Sequence, residues 1–173
     1  MKYITLLFLF ISTSLFAQNN WQVLETNEYS ISYPQDWVSS DMLTQPSMQF
    51  LLLSPEESQK NDKFRENINL TVEALGTNAM SLEDYIKLST DQVIAQIPSA
   101  KILSNSTKKI NNILAADIQW SADFGNGIAL QFKQLFTIQN GVAYVLTYSS
   151  TEAEFNEYFD VANTIMNSFT FKN

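Results

Sequence analysis

The chain offers few groups that can do chemistry. Its 173 residues include no His and no Cys. That removes the commonest general base, the commonest transition-metal ligand and every Ser-His or Cys-His nucleophile arrangement. Zinc, copper and haem sites lose their usual ligands as well. Carboxylate pairs and Ser-Lys dyads remain. Glu56-Glu57 falls in a charged stretch that reads as solvated surface, and Glu152 and Glu154 stand at a helix start, where acids stabilise the macrodipole. Asp117 and Asp123 are spaced to share the polar side of one strand. Asp123 with Asn126 offers oxygens to a hard cation such as Ca²⁺ or Mn²⁺, but without the dense ligand spacing of a dedicated calcium loop. No catalytic residue, no metal ligand set and no cofactor is therefore assigned.

The short motifs carry no chemistry either. Asp123-Phe124-Gly125 spells the magnesium motif of protein kinases, but no Gly-rich loop or catalytic-loop motif accompanies it. Gly125 and Gly127 lack the Lys-Ser/Thr that opens the helix of a phosphate loop. Asn69-Leu70-Thr71 and Asn105-Ser106-Thr107 match the N-glycosylation pattern by coincidence, since the N-terminus looks bacterial.

That N-terminus sets the compartment. Lys2 is followed by an apolar run, Ile4 to Ile11, broken only by Thr5, then by Ser12-Thr13-Ser14 and a small residue, Ala17. This is the layout of a secretory signal peptide cut between Ala17 and Gln18. The run is shorter than the ~20 residues that span a bilayer. The expected product is one domain, residues 18–173, periplasmic or secreted, with no integral membrane segment. Eighteen acids against ten bases give a net charge of −8, and loss of Lys2 makes the product more acidic still. Such a balance argues against nucleic acid and anionic lipid surfaces.

The elements that would position any site read as strands with two helices. Tyr29, Ile31 and Tyr33 alternate with serines until Pro34 stops the strand. Phe50 to Leu53 is apolar on both faces, as in a central strand, and Pro55 to Glu66 reads as a solvated loop. Ile68, Leu70, Val72 and Ala74 alternate up to a break at Gly76-Thr77-Asn78. Ser81, with Asp84 three residues on, caps a helix striped by Leu82, Tyr85, Ile86, Val93, Ile94 and Ile97 and ended by Pro98. Leu114, Ala116, Ile118, Trp120, Ala122 and Phe124 form one face of a long strand. A second runs from Ile128 to Ile138, a type I′ turn falls at Asn140-Gly141, and Val142 to Tyr148 return. Thr151 and Glu154 make a second capping box, for a helix striped by Phe155, Tyr158, Phe159, Ala162, Ile165 and Met166. Phe169 and Phe171 close with a short strand. The fold class is α+β, an antiparallel sheet of about seven strands packed with two main helices.

The Tyr29-x-Ile31-x-Tyr33-Pro34-x-x-Trp37 opening, the Ser81-Leu82-Glu83-Asp84-Tyr85 helix start and the closing Ser168-Phe169 pair resemble the PsbP-like fold family. That family takes in the extrinsic P subunit of photosystem II, a Ran-binding import factor and bacterial DcrB-type relatives. The resemblance spans Trp21 to Phe171. It implies an α/β/α sandwich and a non-catalytic binding or assembly role in the bacterial envelope, through contacts with an unidentified envelope protein. Photosystem membership is not implied, since no His and no basic N-terminal arm is present. The alternative is a small-ligand or hard-cation carrier. Trp120, Phe124, Phe132, Phe136, Tyr144 and Tyr148 fall on inward positions and read as core. Trp37 and Met42 sit in a loop-like segment. They serve either as a plug over the sheet edge or as partner-binding residues.

Overall fold

Alternating strands β1 (Trp21–Glu25) and β2 (Tyr29–Pro34) open the described part of the chain. The structure is a computed structural model and describes residues 20–60, 64–76, 80–125 and 127–172. The signal-peptide reading, with Ala17 and Gln18, lies outside these residues, as do Lys63, Thr77, Asn78 and Asn126. β3 (Val38–Ser40), β4 (Met48–Leu53) and β5 (Asn67–Ala74) follow, then helix α1 (Leu82–Gln96). β6 (Lys101–Ile110), β7 (Ile113–Asp123), β8 (Ala129–Gln139) and β9 (Val142–Thr151) form a meander, ahead of α2 (Phe155–Asn167) and β10 (Thr170–Phe171). No helix among the described residues is long and apolar enough to cross a membrane.

All strand pairs are antiparallel. Seven strands form one sheet in the order β3-β4-β5-β9-β8-β7-β6, and β1-β2-β10 form a second. The expected α+β class and the seven-stranded count hold, but the membership differs. β2 and β10 leave the main sheet, and β3 and β6, unrecognised in the sequence, join it. β6 escaped notice because both its faces are largely exposed, so KILSNSTKKI carries no inward-outward alternation. The signal that was available is Asn111-Asn112 between Ile110 and Ile113. Both asparagines take positive φ, 47° and 67°, as a tight hairpin demands. Asn140-Gly141, at 51° and 76°, makes the expected turn between β8 and β9.

Each face of the main sheet has its own core. On one side α1 covers Ala116, Ile118, Trp120, Phe136 and Val145 with Tyr85 and Ile86. On the other, α2 and β2 cover Phe50, Leu52, Ile68, Leu70, Leu146 and Tyr148. The α1 start follows its sequence: Ser81 Oγ accepts from the Asp84 N–H at 3.1 Å and donates to Asp84 Oδ2 at 2.7 Å. The α2 start does not. Thr151 ends β9, and Glu154 takes the N-cap position in helical conformation without a side-chain cap bond. Ile94, Leu114 and Phe124, assigned inward by periodicity, stand 51, 53 and 47% exposed. α1 is too short of neighbours at its outer turn, and β7 emerges beyond the helix at both ends.

Candidate functional site

The residues that carry the resemblance are spent on structure. Tyr29, Ile31 and Tyr33 point inward from β2, and Tyr29 packs against Phe169 with ring centroids 5.5 Å apart. Ser168 clasps β2: its hydroxyl accepts from the Ser32 N–H at 2.9 Å and donates to Ile165 O at 2.6 Å. Tyr85 meets Phe136 edge-on at 6.2 Å and donates its hydroxyl to Glu73 Oε2 at 2.8 Å. Trp37 belongs to the same cluster as β2 and α2 and is only 2% exposed. Its assignment as a partner-binding side chain is therefore corrected. After Pro34 ends β2, the chain folds back through a 3.1 Å bond from Trp37 N to Pro34 O, which carries the indole into the core. Met42, four residues beyond Val38, stands in water at 78% exposure, with Leu43 at 44% and Val38 at 49%.

Two buried polar groupings were missed. Asp117, placed with Asp123 on the polar side of its strand, is buried and accepts Lys133 Nζ on both oxygens at 2.5 Å, while Lys108 Nζ lies 2.7 Å from Oδ2. Lys133 is 3% exposed and its ammonium sits 5.7 Å from the Phe159 ring centre. Burial lowers the Lys133 pKa from its ordinary 10.5, with Asp117 pulling it partly back. The charge neighbours explain the pairing: β6, β7 and β8 run side by side, and α2 ends the polar face with an aromatic ring. The second grouping surrounds Glu66, which is fully buried although it closes the stretch read as a solvated loop. Ser150 Oγ donates to its Oε1 at 3.3 Å, and Ser54 Oγ to Oε2 at 3.4 Å. Ser54 and Ser58 share a 2.7 Å bond, and Arg65 Nε donates to Ser54 O at 2.6 Å. Glu56 and Glu57 are exposed on a single 3-10 turn, Glu56–Lys60, and Glu152 is also exposed, while Glu154 is buried.

None of the five cavities seen among the described residues is lined by Asp117, Lys133 or Glu66. Asp123 accepts the Gly125 N–H on Oδ1 at 2.7 Å, and no group of three or more carboxylates gathers among the described residues. An apolar cavity between α2 and the sheet, lined by Leu70, Leu135, Thr137, Met166 and Phe169, has a volume of only about 20 Å³. That is room for a water or so, against the several hundred Å³ of a small-molecule site.

A larger space lies on the other face. Leu82, Ile86 and Thr90 of α1 form one wall of an open cleft of about 590 Å³; Asn105 and Thr107 of β6, with Leu114 of β7, form the other. It exists because α1 sits over β7 and β8 and stops short of β6. The cleft is wide enough to receive another molecule's side chains.

The PsbP-like protein family model matches residues 12–171. The chain belongs to the PsbP-like protein family. Among curated protein sequences none matches. Several solved structures share the fold, three of them as follows. Cyanobacterial PsbP (CyanoP) from Synechocystis is 12% identical with a TM-score of 0.66, over 93% of this chain and 98% of that one. LpqN, described as involved in cell envelope biogenesis of Mycobacterium tuberculosis, is 14% identical at 0.62, over 88 and 91%. The Saccharomyces cerevisiae Ran-binding protein Mog1p is 9% identical at 0.60, over 87 and 95%. At such identities the likeness establishes the PsbP-like fold alone. The residues of its family motifs serve the framework, buried in the core or capping α1.

Proposed function

We propose that this PsbP-like protein is exported to the bacterial envelope and acts there by binding a protein partner, without catalysis of its own. One observation carries the reading. The chain buries the large aromatic residues of its motifs, Tyr29, Tyr33, Trp37, Tyr85 and Phe169, yet leaves Val38, Met42 and Leu43 in water within six residues at the β3 edge of the sheet. Exposed side chains of this size, close together, are typical of contact surfaces. LpqN supports the compartment and Mog1p the mode, as PsbP-like folds described respectively in envelope biogenesis and in protein binding.

Affinity capture from envelope extract tests it, comparing the wild-type protein with Met42→Asp. A partner held by the wild type and lost by the variant is the expected result; identical captures contradict the surface. Intact mass of the exported protein should begin at Gln18, and a product retaining Met1 contradicts export. Turnover of ester, peptide or phosphate substrates that disappears on mutating one acid would overturn the non-catalytic role.

A further inference from the structure

β6 is the open side of the main sheet. It pairs with β7 alone, so along Lys101–Ile110 the other row of backbone N–H and C=O groups has no strand beside it among the described residues. The opposite edge, β3, is only three residues long. A long bare edge is a template for another strand unless charge or a bulge blunts it. β6 has both devices: a register shift between Ile102 and Ser104, and lysines at 101, 108 and 109.

The charge is of one sign. β6 holds three of the ten basic residues of a chain with net charge −8, and no acid. Two copies meeting edge to edge would set lysine near lysine, so the strand discourages its own kind. An acidic segment meets Lys101 and Lys108, which share the face turned away from α1, as complement. Lys108 is shared with Asp117, but Lys101 and Lys109 are exposed and form no ion pair among the described residues. Protection against aggregation accounts for the lysines by itself. It does not account for the cleft that runs beside them.

Register decides what an added strand would present. Asn105 and Thr107 pair with Ile118 and Ala116 and so share the α1 face; Ser106 and Lys108 pair with Asp117 and Ala115 on the other. Alternate side chains of a strand laid against β6 would enter the α1–β6 cleft, over Leu82, Ile86 and the half-exposed Leu114. We propose that β6 accepts an extended acidic segment of a protein partner as a further edge strand, with its apolar side chains seated in the α1–β6 cleft. This rests on the binding role proposed above and gives the partner its chemistry.

The test uses the exported protein and a blocked synthetic peptide of roughly eight residues alternating Glu with Leu or Val, beside a twin carrying Lys for Glu. Saturable binding of the acidic peptide alone, with slowed amide exchange in β6, is expected. Lys101→Glu, on the face opposite α1 where the peptide's acids would lie, should weaken it about fivefold, most at low salt. Leu114→Asp, at an exposed position, should abolish it while leaving the fold intact. Equal binding of both peptides, slowed exchange elsewhere than β6, or unchanged affinity in both variants overturns the proposal. So does self-association that protects β6, which would make a second copy the occupant. If the peptide fails at β6 while Met42→Asp still loses a captured partner, the β6 mode falls and the binding role stands.

Discussion

The two helices cover the same sheet in different ways. α2 buries Phe155, Ala162, Ile165 and Met166, none more than 2% exposed, whereas α1 buries only Tyr85 and Ile86, at 7 and 8%. Their sequences explain the contrast. α2 has an aromatic and aliphatic stripe at helical spacing, joined on its own face by the aromatics of β2 and β10. α1 carries Ser89 and Thr90 toward the sheet, and both turn their hydroxyls back onto their own helix, to Tyr85 O at 2.8 Å and Ile86 O at 2.9 Å. Closing one face firmly lets the other remain open at the β6 edge, where a cleft persists.

The largest expected effects lie on the closed face. Phe155→Ala or Trp37→Ala should each cost about 3–5 kcal/mol, through lost contact and a residual cavity, out of about 5–15 for a domain of this size. Denaturant unfolding measures this, and a Trp37→Ala protein that melts like wild type would return Trp37 to the surface. Asp117→Ala leaves Lys133 buried with its charge unmatched and should also cost about 3–5 kcal/mol. Lys133→Met should cost far less, because Asp117 retains Lys108; equal losses would show that the ion cluster itself holds the strands.

On the α1 face the effects shrink. Trp120→Ala should cost about 3 kcal/mol, since the indole stacks on Phe132 at 4.1 Å and bonds Gln134 at 2.8 Å but lies under the looser helix. Tyr85→Phe removes only the bond to Glu73 and should cost about 1 kcal/mol. A Tyr85→Phe loss as large as that of Trp120→Ala would mean that α1 is locked as firmly as α2.

Alkaline pH gives a further comparison. Burial raises the pKa of Tyr29, Tyr85, Tyr144, Tyr148 and Tyr158 above 10.0. In this window the folded state holds protons that the unfolded state releases, so stability is full below pH 10 and falls as pH rises toward the folded values. Lys133 acts in the opposite sense: its lowered value makes stability grow as pH climbs toward 10.5. Five phenols outweigh one ammonium, so unfolding should ease above pH 10. In an absorbance titration Tyr148, fully buried with its hydroxyl on Phe155 O at 3.0 Å, should ionise only as the chain unfolds. Early ionisation of Tyr148 would contradict a closed α2 face.

What the sequence made legible follows from where periodicity survives. β5, β7 and β8 alternate apolar with polar residues, and α2 carries an unbroken stripe, so the architecture could be read from them. β6 has no buried face to alternate, and β3 has three residues, too few to show a period. The burial of Asp117, Lys133 and Glu66 was not legible for a different reason. A charged residue reads as solvated until its partner is known, and these partners come from neighbouring strands or from across the fold. Trp37 sits past the end of a strand, where neither period applies. The cleft depends on how far α1 reaches across the sheet, a tertiary distance that no local pattern encodes.

Hydrogen exchange on native protein tests the contrast between the faces most directly. The amides of α2 should exchange only through global unfolding, with a protection free energy equal to the total stability, while those of α1 should open locally and at lower cost. Equal protection of the two helices would contradict the account.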